Sequence, residues 1–302
     1  MMRRRDMIVA SGAALFGSVL PQISAGVEIK KPQRVLYFTR NVGYYHSVVT
    51  RQDGALSHSE RAFVAMGKRL GIEVECTKDG RLFDGDLSHY DAFACYTNND
   101  LTLPNPENEP PMSKEGKQRL LDAIADGKGF IGFHSSCACW RTPEKQGGSD
   151  TQDVKNREVD PYLAMLGGEF VAHGPQQEAT MRIVSEHFPG MQGLGKSFRM
   201  REEWYALKNF AKDLHVILVQ ETAGMRGPCY QRPPFPSTWA RRHGKGRVFF
   251  TSMGHREDTW VQEPFQQIVL GGLSWATRQV EANILPNIEE VTPHANRLWN
   301  TL

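Results

Sequence analysis

Four short apolar runs separated by polar and helix-periodic stretches constrain this chain first. The runs are Arg34-Val35-Leu36-Tyr37-Phe38-Thr39, Ile72 to Cys76, Tyr90 to Tyr96 and Lys128 to Phe133. The first, short, apolar and β-favouring, has the look of a strand buried on both faces, and the other three also read as strands. Between the first two, Leu56, Phe63, Met66 and Leu70 place apolar groups on one side of a helix from about Gly54 to Leu70. After the third, Ser113 opens a helix in which Leu120, Leu121 and Ile124 recur at helical spacing before Gly127 ends it. Strand, helix and strand in alternation imply βαβ units and a mostly parallel sheet.

Further strands are expected at Thr180 to Val184, Leu214 to Gln220, Thr238 to Arg241 and Arg247 to Ser252, and a closing helix from about Glu263 to Thr277. The polar stretch Thr142 to Arg157 reads as an exposed loop over the sheet edge. Residues beyond Ile284 read as a tail packed on the surface, and no internal repeat or linker interrupts the chain after residue 30.

The amino terminus is read separately. Arg3, Arg4 and Arg5 precede an apolar run from Met7 to Leu20 and then Ile23-Ser24-Ala25, a small-residue cleavage site. The run is short for a permanent span and is softened by Ser11, Gly12, Gly17 and Ser18. Arg4-Arg5-Asp6-Met7-Ile8 has the paired arginines and bulky apolar pair of a twin-arginine export signal, with an uncleaved Sec-type signal as the alternative. Residues 1–25 are therefore expected to direct export to the periplasm, leaving 26–302 as one mature domain without a stable membrane anchor. Without those residues, which hold three arginines and one aspartate, the balance is 33 basic to 33 acidic groups. A neutral chain without basic blocks gives no footing for nucleic acid. The five cysteines cannot all pair within one chain, so at least one thiol stays free.

In an open parallel sheet, ligands bind beyond the carboxyl ends of the strands. The first strand is followed by Tyr44, Tyr45 and His46, the third by Asn98, Asn99 and Asp100, and the fourth by His134, Ser135 and Ser136. His255 follows the late strand and joins the same edge if that strand runs parallel to the others. His173 and the run Glu202-Glu203-Trp204-Tyr205 are further candidates that periodicity does not place.

Several of these residues stand in ordered landmarks. Gly132-Phe133-His134-Ser135, Leu166-Gly167-Gly168-Glu169-Phe170 with His173, Glu203-Trp204-Tyr205, and Gly244-Lys245-Gly246-Arg247-Val248-Phe249-Phe250 leading to Gly254-His255 resemble those of the ThuA-like, or trehalose utilisation, family over residues 33–278. The resemblance implies a flavodoxin-like, class I glutamine amidotransferase-like fold: a three-layer sandwich around a mostly parallel sheet. In amidotransferases a Gly-x-Cys turn presents a nucleophilic thiolate. Here the corresponding turn is Gly132-Phe133-His134, which cannot form the thioester, so glutaminase activity is not expected. The resemblance further implies catabolism of trehalose or related disaccharides through 3-keto sugars.

Two chemistries stay open. His134, His173, Glu203 and His255 could hold a divalent metal such as zinc, since neutral imidazole and carboxylate are its ligands, and polarise a sugar oxygen. Alternatively His46, His134 and Glu203, with His255, could act as general acid and base. Tyr45, Asn98, Asn99, Asp100, Ser135, Trp204 and Tyr205 are candidates for binding a small carbohydrate. Each histidine also has an ordinary reading as a hydrogen-bonded structural group, Trp204 and Tyr205 as core, and Cys137 and Cys139 as structural thiols. A non-catalytic sugar-binding or assembly module using the same cleft is the alternative function.

Overall fold

A computed structural model describes residues 32–141 and 159–299. The expected signal at 1–25 and the polar stretch from Thr142 to Arg157 lie outside the described residues. The first half follows the alternation in the sequence. Strands β1 (Gln33–Phe38), β2 (Ile72–Thr77), β3 (Ala92–Cys95) and β4 (Gly129–Phe133) pair in parallel, with helix α1 (His58–Arg69) between β1 and β2, and α2 (Lys114–Ala125) between β3 and β4. β3 and β4 are buried at every position, which is why their sequences are continuously apolar rather than alternating.

Helix α1 begins later than its apolar pattern suggests because Ser57 caps it. Ser57 Oγ accepts from the Glu60 amide at 3.3 Å, while the Glu60 carboxylate accepts from the Ser57 amide at 2.8 Å. This reciprocal pair satisfies two amide donors that the first turn leaves open. Helix α2 starts after Ser113 in the same way, with the Gly116 amide donating to Ser113 Oγ at 2.8 Å.

The second half is antiparallel. Helix α3 (Pro161–Leu166) leads into β5 (Glu169–His173), β6 (Gln177–Ile183), β7 (Ser197–Glu202), β8 (Tyr205–Lys208), β9 (His215–Gln220), β10 (Phe235–His243) and β11 (Gly246–Thr251). Nine strands form one mixed sheet in the order β2-β1-β3-β4-β11-β10-β9-β6-β7, and β5 pairs with β8 as a separate ribbon. The expected parallel sheet thus occupies one end, from β2 to β11, and the other end is antiparallel. The switch is local in origin. Gly244 and Lys245 alone join β10 to β11, and Gly244 takes φ +56°, the left-handed value a two-residue hairpin needs at its first central position.

β11 leaves this hairpin antiparallel to β10 but parallel to β4, with Thr251 opposite Phe133. Its carboxyl end therefore opens on the same edge as β4. Isolated bridges Asn41 to Asn98 and Asn99 to Cys139 carry the parallel pairing past the strand ends. Arg40, fully buried, donates to the carbonyls of Leu101 (2.9 Å) and Leu103 (2.6 Å) and fixes the loop after β3.

Helix α4 (Glu263–Ala276) packs on β4 and β11 and against α1. It lies so close to the 189–190 segment that a Cβ on Gly271 would stand 1.8 Å from the Pro189 carbonyl oxygen. Because backbone rather than a flexible side chain is in the way, Gly271→Ala is expected to cost about 1–3 kcal/mol. For a domain of this size that is a fall in thermal midpoint of roughly 2–10 °C, to be read by calorimetry. A short helix, α5 (Ile288–Val291), and the residues around it cover β9, where Asn287 Oδ1 accepts from the Val216 amide at 2.6 Å.

Candidate metal and substrate site

Four elements deliver ionisable groups to the shared carboxyl edge. His46 stands at the entry to a 3-10 turn, Ser47–Val49, in the segment after β1. His134 is the first residue after β4, at φ +38°, an uncommon conformation for a residue with a side chain and one that turns the chain sharply off the strand. Glu203 lies in the two-residue link between β7 and β8. His255 lies in the loop after β11.

The sheet topology brings all four together. One ligand atom from each of His46, His134, Glu203 and His255 lies within 4.8 Å of the others. Glu203 Oε2 is 3.6 Å from His134 Nε2 and 3.1 Å from His255 Nδ1, and those two nitrogens are 3.3 Å apart. A tetrahedral ion with ligand bonds of about 2.0–2.1 Å has ligand atoms roughly 3.3 Å apart, so these three positions already match the face of such a tetrahedron. The His46 ring centroid is 5.1 Å from that of His134 and 5.2 Å from that of His255.

The tautomers follow from the partners. His134 Nδ1 lies 2.8 Å from the Ser252 carbonyl, which can only accept, so Nδ1 carries the proton and Nε2 offers its lone pair to the cluster. Arg256 Nη1 donates to Gln176 Oε1 at 2.6 Å, turning the Gln176 amide nitrogen onto His255 Nε2 at 3.0 Å. In that arrangement neutral His255 carries its proton on Nδ1, facing Glu203.

Electrostatics favour a neutral His46 beside an ionised Glu203. Burial, and then the neighbouring His134 and His255, push the His46 pKa down to about 2. Burial alone would raise the Glu203 carboxyl, but hydrogen bonds with His134 and His255 outweigh it and hold it well below the usual carboxylate range. Burial lowers His255, and Glu203 more than compensates, so its net shift is upward. His46 is 2% exposed, and its Nδ1 is buried without a hydrogen-bond partner. A buried nitrogen without a partner on an imidazole that adjoins two others and a carboxylate needs an explanation, and a ligand held by the group would supply one. Three histidines and a carboxylate fit a zinc-like ion on donor type, on spacing and on this unsatisfied atom.

Above the cluster lies a cavity of about 330 Å³, at the small end for ligand sites. His46 and Glu203 reach it, Asn98, Asn99, Arg141 and His173 give it polar walls, and Tyr44, Phe170 and Tyr205 supply aromatic faces. The Tyr205 ring lies against that of His134 with centroids 4.0 Å apart.

The expected site residues divide accordingly. His173 pairs with Tyr205 across the β5–β8 ribbon and lines the cavity, but its side chain is 45% exposed, and its Nδ1 touches Glu203 Oε1 (3.4 Å) rather than the shared oxygen. His46 takes the place in the ligand group that the sequence reading gave to His173. Asn98 lines the cavity while its Oδ1 accepts from the Val42 and Gly43 amides. Four residues expected to bind substrate are not among those lining this cavity. Tyr45 donates to Glu109 Oε2 at 2.6 Å, and Asp100 accepts from Trp140 Nε1 at 2.8 Å. Ser135 is wholly buried, and Trp204 is core, donating to the Gln177 carbonyl at 2.9 Å. Cys137 is also fully buried, donates to the His134 carbonyl, and has its thiol pKa pushed up by burial, which leaves no thiolate at the edge.

Arg141 and Phe170 were not singled out from the sequence for this cavity, and Tyr44 was named after the first strand but not chosen over Tyr45. Tyr44 precedes Tyr45 in an irregular segment where no strand or helix period says which ring faces inward. The extended β5 segment, where Phe170 and His173 sit, is five residues long with only Phe170, Val171 and Ala172 apolar, short enough to escape a periodicity search.

A family model described as ThuA, trehalose utilisation, matches residues 34–276. No curated protein matches the chain. Among solved structures, a ThuA-like protein from Bacteroides uniformis is similar at 16% identity, with 81% of this chain and 91% of that one covered and a TM-score of 0.57. A ThuA-like protein from Parabacteroides merdae is similar at 16% identity, with 85% and 94% covered and a TM-score of 0.58. At such identities the likeness is one of fold.

Proposed function

The chain belongs to the ThuA family, and from that premise we propose that it is an exported enzyme of carbohydrate catabolism, in the setting of trehalose utilisation. We infer that it acts on a disaccharide or its keto derivative at a divalent-metal centre of His46, His134, Glu203 and His255. The observation that carries this reading is the convergence of one ligand atom from each of four separate chain segments within 4.8 Å, beside the buried and unpartnered Nδ1 of His46. Hydrogen bonds join His134, His255 and Glu203 to one another, but His46 Nδ1 is left without one, and His46 and Glu203 line the cavity.

When bound, the ion would polarise a carbonyl or hydroxyl oxygen of the sugar. The protein's own groups do the rest. Ser252 holds His134 in the tautomer that presents Nε2. Tyr44, Phe170 and Tyr205 offer aromatic faces to the apolar faces of a sugar ring, and Asn99 and Arg141 offer donors to its hydroxyls. His173, half exposed at the mouth and in contact with Glu203, is placed to take or give a proton at the substrate.

The test is turnover of a panel of disaccharides and their 3-keto derivatives by the metal-supplemented protein and by His134→Ala. The reading expects product from at least one of them and a loss of at least about 100-fold in the variant, with circular dichroism unchanged. Tight binding without product from any member would instead identify a sugar-binding module.

A further inference from the structure

Glu202 and Glu203 are neighbours in sequence, but only Glu203 enters the ligand group. Glu202 is fully buried, a position that carboxylates hold only when their oxygens are hydrogen-bonded. Both of its oxygens take backbone donors: Oε1 accepts from the Gly254 amide at 2.9 Å and Oε2 from the Glu203 amide at 3.0 Å. Those amides belong to one ligand residue and to the residue immediately before another, His255. The segments they anchor come from distant places in the sheet, since β10, β9 and β6 lie between β11 and β7. No strand pairing ties one to the other. Gly254 takes φ +113°, open to glycine but not to other residues, as it turns the chain between Met253 and His255.

We propose that Glu202 is the positioning residue of the site: by bonding the Glu203 and Gly254 amides at once, its carboxylate sets the distance between the Glu203 and His255 ligand atoms. The proposal rests on His46, His134, Glu203 and His255 being the working group, but it does not require that the metal be bound. Outer-shell partners of this kind typically account for about 10–100-fold in metal affinity.

The experiment uses Glu202→Gln, which keeps the shape but offers one acceptor where two amides need one each, and Glu202→Asp, which keeps both acceptors on a shorter arm and covers the case in which the glutamine variant fails to fold. Gly271→Ala, expected to lose stability far from the site, is the control. Two readouts are taken: the side-chain nitrogen signals of His134 and His255 by NMR in chelator-treated protein, and zinc affinity by competition with a chelating dye. The proposal expects shifted histidine signals and about 10–100-fold weaker zinc binding in the Glu202 variants, with neither change in Gly271→Ala. Unchanged histidine signals in a folded Glu202 variant, or equal shifts in Gly271→Ala, would overturn it. Shifted signals in a protein that binds no zinc even as wild type would sustain the positioning role and remove the metal reading.

Discussion

Glu203→Ala is expected to weaken zinc or cobalt binding by more than about 100-fold, beyond what loss of an outer-shell partner costs. Glu203 supplies the only carboxylate of the ligand group, and its Oε2 is the atom that both His134 and His255 approach. Removing it leaves three imidazoles with no negative charge to offset a divalent ion. His173→Ala should cost far less, below about tenfold, because His173 meets only the other oxygen and is half exposed. Titration against a chelating dye separates the two variants. Equal losses would return His173 to the ligand set; no loss in Glu203→Ala would remove Glu203 from it.

Arg51→Ala is expected to destabilise the fold by about 3 kcal/mol, the lower end for breaking a buried ion pair, because Arg51 keeps a quarter of its side chain in solvent. Its partner Glu60 has none. The Glu60 carboxylate accepts from Arg51 Nε and Nη2, both at 2.8 Å, from Thr39 Oγ1 at 2.7 Å and from the Ser57 amide at 2.8 Å. It thereby links the end of β1 to the start of α1, flanking the segment that carries His46. Burial alone would raise the Glu60 pKa, but the bonds from Arg51, Thr39 and Ser57 outweigh it and the net shift is downward. A carboxyl lower in the folded than in the unfolded state stabilises above its unfolded pKa, near 4.5, and loses that contribution as pH falls through the folded value. The stability gap between wild type and Arg51→Ala should therefore be full at neutral pH and narrow below about pH 4.5. Urea titrations across that range check it, and a gap independent of pH would assign the loss to packing instead.

What the sequence disclosed followed burial. β3 and β4 are covered at every position and β1 from Val35 to Phe38, so these runs are apolar and stand out even without alternation. β7 is an edge strand whose sequence, Ser-Phe-Arg-Met-Arg-Glu, turns polar groups outward, and no apolar run marks it. The β5–β8 ribbon depends on pairing between residues more than thirty positions apart, which no local period encodes.

The same division holds at the site. His134 and His255 were legible because each follows an apolar strand, and parallel pairing of β4 with β11 does the rest. Glu203 and His173 were named as candidates but could not be placed, since their link and ribbon carry no periodic signal. His46 and His173 exchanged places because only the folded chain reveals that one imidazole is buried between two others while the other stands at the cavity mouth. Tyr45 and Trp204 fit a sugar site by type, but their polar atoms are already engaged by Glu109 and the Gln177 carbonyl.

The central claim is most directly tested by the elemental content of the protein, purified without chelators or a metal-binding tag, beside a His134→Ala/His255→Ala variant of verified fold. The account predicts close to one divalent ion per chain in the wild type and none in the variant. Wild-type protein without metal that also fails to take up zinc, cobalt or manganese on titration would contradict it.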